Sequence, residues 1–113
     1  MNKVVLIGRL TSDAEIKQFG ENNRSVLKFT IAVDRNYLNA NNEREADFIP
    51  VAYWTDHAEK LLGFLLKGRL IGVNGSIKVK SYDLGDGKRK YFTEIDCTEI
   101  KFLDRLKDKT AEM

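Results

Sequence analysis

Cys97 and His57 are the only cysteine and the only histidine in this 113-residue chain. One thiol closes no intrachain disulfide, and one thiol with one imidazole assembles no Cys/His metal cluster. His57 falls at the start of an expected helix, with no nucleophile or acid at the spacing of a catalytic pair, and reads as a cap or surface residue. Cys97 falls on the buried parity of a strand, where a thiol serves as a small hydrophobe. Gly85-Asp86-Gly87 is too short to cradle a phosphate and precedes no helix, so it reads as a turn. Neither catalysis nor a metal or cofactor is expected.

The side chains that remain able to recognise something are aromatic and basic. Along Phe48 to Trp54, alternation puts Ile49, Val51 and Tyr53 on one face and Phe48, Pro50, Ala52 and Trp54 on the other. Along Leu70 to Tyr82, Ile71, Val73, Ile77 and Val79 take the buried parity, leaving Asn74, Ser76, Lys78, Lys80 and Tyr82 outside. Phe48, Trp54 and Tyr82 are therefore rings on outward positions, where polar side chains are the rule. Such rings can stack on bases, at about 1–3 kcal/mol per base and without regard to sequence. Tyr37 joins them only if the chain bends at Arg35, because the preceding alternation would turn it inward.

Charge agrees with the rings. The whole chain carries only +2, yet Lys67 to Lys90 holds seven basic residues against Asp83 and Asp86, a local +5. Lysines alternating with aromatics are what a groove tracking a phosphate backbone requires. Alternating lysines also guard sheet edges, and outward rings also build protein interfaces. The shared phase of the two favours nucleic acid. The alternative is a protein-interaction adaptor, such as a primosome component, using the same aromatic face; phosphate-driven binding would weaken with salt and an apolar interface would not.

These residues need strands to carry them. Asn2 to Leu10 reads as a strand apolar on both faces, and Ala14 to Phe19 as a short strand returned by the turn-forming Gly20 to Asn23. Ser25 to Asp34 alternates cleanly, with Leu27, Phe29, Ile31 and Val33 inward. Arg35 to Ala46, rich in asparagine, is expected as a long exposed loop. Pro50 places its strand at an edge or a bulge. Asp56 and Glu59 suggest a capping box for a helix running through Leu65 to Lys67-Gly68. Asp83 to Lys88 forms a hairpin tip, and Tyr91 to Leu103 a last strand whose phase slips between Cys97 and Ile100, the mark of a bulge. The expectation is an all-β, five-stranded Greek-key barrel with one short helix between strands 3 and 4. It should occupy residues 1–103, with 104–113 a flexible tail. Apolar runs fall far short of the roughly 18 residues that span a bilayer, and no signal-peptide h-region opens the chain.

The blocks NKVVLIGRL, SVLKFTIAVDR, ADFIPVAYWTDHAEKLLGFLLKGRLIGVNGSIKVKSY and YFTEIDCTEIKFLD, in this order and spacing, resemble the bacterial single-stranded DNA-binding protein family. The resemblance covers residues 2 to 103. It implies an OB-fold homotetramer that binds and protects single-stranded DNA without sequence preference during replication, recombination and repair, in the cytoplasm and at the nucleoid. Its four stacking positions fall on Tyr37, Phe48, Trp54 and Tyr82. Its basic contacts map onto Lys67, Lys78 and Lys80, then Lys3, Arg9, Arg35 and Arg69. Its subunit contact falls on Asn2 to Leu10. Replicative members end in a long linker and an acidic tip that recruits partner proteins. This chain instead reads as a short form without that tip, for which such recruitment is not expected.

Overall fold

A computed structural model describes residues 1–19 and 24–104. Its elements are β1 (Val4–Leu10), β2 (Glu15–Phe19), β3 (Arg24–Leu38), β4 (Arg44–Trp54), α1 (Ala58–Leu62), β5 (Leu70–Asp83) and β6 (Arg89–Phe102). The sheet runs β1-β5-β6-β4-β3, and β1 returns to β3 through Arg9↔Ala32 and Leu10↔Ile31, closing a ring of five strands to which β2 is added along β3. Among the ring strands, α1 falls between the third and the fourth. This is the expected OB barrel.

Alternation builds the interior. Leu10, Leu27, Phe29, Ile31, Val51, Ile71, Val73, Ile95 and Cys97 are buried together, joined by Ala58 and Leu65 from the helical connection. Closure depends on Gly8: a Cβ there would lie 2.5 Å from the Ala32 carbonyl oxygen, so β1 can cross β3 this tightly only without a side chain. The phase slip in β6 is a bulge. Asn74 pairs with Glu99 while Gly75 pairs with Cys97, and Thr98, left over between them, donates its hydroxyl to the Asn74 carbonyl at 2.9 Å.

The structure corrects several expectations. The stretch from Arg35 to Ala46 is mostly strand, because β3 and β4 continue as a long hairpin whose turn is only Asn39 to Glu43. Asn39 shapes that turn, its side-chain oxygen accepting from the N–H groups of Asn41 and Glu43 at 2.9 Å each. The capping box is absent: His57 is the N-cap without a side-chain bond, and its N–H donates instead to the Thr55 hydroxyl at 3.1 Å. The helix stops at Leu62; the N–H groups of Phe64 and Leu65 share the Leu61 carbonyl, and Leu65 joins the core.

β1 is buried on one face only, Val5 and Ile7 being 67% and 57% exposed. Ile77 and Val79, placed inside by parity, are also exposed. β1 reaches only as far as Val4↔Gly75, so past Gly75 the inward parity of β5 points beyond the end of the barrel. Pro50 pairs with Thr30 without a bulge, at a point where, among the described residues, β4 has no strand on its other side; the β6 ladder begins at Val51. Asp104, assigned to the tail, is tied in, accepting from Arg69 Nε at 2.7 Å and from the Leu70 N–H at 3.2 Å. The rest of that tail, 105–113, lies outside the described residues, as do Gly20 to Asn23.

Candidate nucleic-acid interface

Register across four strands decides which outward side chains meet. Lys28 of β3 lies opposite Ala52 of β4, and Ala52 opposite Asp96 of β6. Asp96 lies opposite Ser76 of β5, Glu94 opposite Lys78, and Phe92 opposite Lys80. Directly paired residues share a face. One continuous outer surface therefore carries Phe48, Trp54, Lys28, Phe92, Glu94, Asp96, Lys78, Lys80 and Tyr82.

The rings stand where parity placed them. Phe48 is 69% exposed, Tyr82 50% and Trp54 37%. Trp54 lies beneath the Arg24 guanidinium, 5.1 Å from its ring centroid, a cation–π contact across the β3–β4 ladder. Tyr82 stacks on Phe92 at 5.6 Å and an interplanar angle of 7°, so two rings form one platform on the β5–β6 arm. Between these rings an open cleft of about 400 Å³ is lined by Arg24, Trp54, Lys78, Lys80, Glu94 and Asp96. A second, of about 330 Å³, runs past Lys28, Thr30, Pro50 and Phe92 and again reaches Glu94.

The lysines are not bare charges. Lys80 Nζ sits 2.8 Å from Glu94 Oε1, Lys28 Nζ 3.7 Å from Glu94 Oε2, and Lys78 Nζ 3.2 Å from Asp96 Oδ2. The hydrogen bond to Glu94 holds the Lys80 ammonium above the usual lysine range. Glu94 itself is only 4% exposed, the one buried charged residue among those described.

Other sequence candidates lie elsewhere. Arg69 is largely buried; it bonds Asp104 and covers the Phe102 ring at 4.6 Å, a packing role at the β5–β6 end of the barrel. Arg35 clamps the β3–β4 hairpin, donating to Asp47 at 2.9 Å and to Glu45 at 2.8 Å. This contact pushes its pKa further up and holds Asp47 below the ordinary carboxylate range. Arg9 donates to the Gly68 carbonyl at 2.9 Å. Lys67, exposed in the α1–β5 connection, and Lys3, exposed ahead of β1, line neither cleft.

Tyr37 is 62% exposed, because β3 pairs irregularly between Asp34 and Leu38. With Arg35 it lines a separate groove between β1 and β3. Alternation and charge do not single out Arg24, Lys28, Phe92, Glu94 or Asp96. For Phe92 and Glu94 the signal was there: counting back evenly from the Gly85-Asp86-Gly87 tip sets them opposite Lys80 and Lys78.

Known proteins share this sequence and this fold. Residues 1–103 match the Single-strand binding protein family. Single-stranded DNA-binding protein 2 of Clostridium acetobutylicum is 45% identical over 112 residues, covering 99% of this chain and 84% of the relative. Single-stranded DNA-binding protein 1 of the same organism is 45% identical over 108 residues, covering 96% and 98%. Among solved structures, a Plasmodium falciparum SSB complex with ssDNA superposes with a TM-score of 0.77 at 27% identity, over 92% of this chain and 96% of that one. The chain belongs to the Single-strand binding protein family.

Proposed function

We propose that this protein binds and protects single-stranded DNA without sequence preference, in replication, recombination and repair. The observation that carries the reading is the four-stranded outer face on which Phe48, Trp54 and the Tyr82–Phe92 pair flank Arg24, Lys28, Lys78 and Lys80. Rings accept unpaired bases whatever their identity, and the basic face draws the phosphates along its rim. A duplex hides its base faces and offers the rings nothing. The strand is held and not cut. Tyr37 offers a further stacking ring from the separate groove between β1 and β3, and Lys67 and Lys3 supply peripheral phosphate contacts. The protein works in the cytoplasm, at the nucleoid, as a homotetramer joined through β1, where Val5 and Ile7 leave an apolar strip exposed.

The experiment is a binding isotherm with oligo(dT) for the wild type and for Trp54→Ala. The variant should melt like the wild type and bind more weakly by about 1–3 kcal/mol. Equal affinities would remove Trp54 from the site.

A further inference from the structure

Phosphate is the feature that single strands share with duplexes and with every other polyanion, so a face that merely collects lysines would take them all. This face is built otherwise. Glu94 sits at its centre, 4% exposed, and lines both clefts. Its two carboxylate oxygens are divided between strands, Oε1 to Lys80 of β5 at 2.8 Å and Oε2 to Lys28 of β3 at 3.7 Å. Asp96, two residues on and also lining the first cleft, holds Lys78 at 3.2 Å. Three lysines on this face are thus met by two carboxylates already in place.

We propose that Glu94 is a specificity-determining residue: it neutralises the lysines at the centre of the face and repels phosphate from the cleft floor, so that binding requires bases to stack. This deepens the reading of the face as a single-strand site. A bare phosphate chain gains little where lysines already have partners, and meets a buried carboxylate between them. A single strand gains from Phe48, Trp54 and Tyr82 with its bases turned inward and its phosphates along the rim. Glu94 touches the bound strand only through the lysines it holds. Its effect is to weaken binding of everything that lacks exposed bases.

The test is Glu94→Gln in the full chain, which keeps the side chain's shape and one acceptor oxygen and removes the charge. Wild type and variant are titrated with inorganic polyphosphate and with oligo(dT) at two salt concentrations, beside Glu59→Gln, an exposed helical control. Glu94→Gln should tighten polyphosphate binding about tenfold, steepen its salt dependence, and change oligo(dT) binding by only about threefold. A packing defect would weaken both ligands. Polyphosphate binding unchanged or weakened in a variant that melts normally overturns the proposal. If Glu94→Gln fails to fold, Asp96→Asn, on a half-exposed residue, should move polyphosphate binding in the same direction by a smaller factor; no tightening there overturns it equally. Failure of the wild type to bind oligo(dT) refutes the single-strand reading, while the polyphosphate comparison still judges Glu94.

Discussion

Parity along a strand says which way a side chain points, and its cross-strand partner says what it meets on arrival. The first is legible from sequence alone: Phe48, Trp54 and Tyr82 were readable as outward from the apolar residues alternating with them. The second needs register. Lys78 and Lys80 read as free cations, and only the β5–β6 pairing brings Asp96 and Glu94 against them. Arg69 shows the same gap, since its charge counts toward the basic segment while Asp104 and Phe102 enclose it. Cys97 was legible as a core residue, and its burial pushes the thiol from 9.0 up to about 11. The folded protein thus prefers the neutral thiol more strongly than the unfolded chain does. This contribution to stability is complete below pH 9 and is lost as pH rises towards about 11. Urea unfolding at pH 8 and at pH 11 should show a larger stability loss for the wild type than for Cys97→Ala. Parallel losses would contradict it. Comparing the two variants isolates the thiol from lysines and tyrosines that titrate in the same window.

Elements were legible where alternation was strict and bounded, as in β3 from Ser25 to Asp34, and misread where composition stood in for pairing. The asparagines between Arg35 and Ala46 suggested a loop. The segment is strand because β3 and β4 pair beyond the barrel, with Arg35 fastening Asp47 and Glu45 across the ladder. Ile77 and Val79 were misread for a related reason: alternation gives the face but not where the interior ends, and that is set by the length of β1. The outer face of β1, with Val5 67% exposed, is apolar beyond what one chain uses. Val5→Asp should leave the fold intact, because the side chain packs against nothing inside the barrel. It should lower the assembly mass measured by light scattering or sedimentation. An unchanged assembly would move the subunit contact off β1.

At the scale of the molecule, the barrel gathers residues distant in sequence onto one face: Arg24 and Lys28, Phe48 and Trp54, Lys78 to Tyr82, and Phe92 to Asp96 come together only because the ring closes in the order β1-β5-β6-β4-β3. Closure rests on local features, a glycine at the β1–β3 seam and a bulge in β6. The bulge was legible from a slip in phase. The seam was not, since nothing near Gly8 in sequence says which strand it must pass. The resulting surface pairs stacking rings with lysines held by carboxylates, so its affinity should depend on bases at least as much as on charge. Trp54, the only tryptophan, lies in the wall of the central cleft and reports on it directly. The decisive measurement is its fluorescence during titration with oligo(dT) and, separately, with duplex DNA at two salt concentrations. The structure predicts quenching by the single strand alone, with an affinity that falls as salt rises. Equal quenching by duplex, or none by oligo(dT), would contradict a base-stacking face.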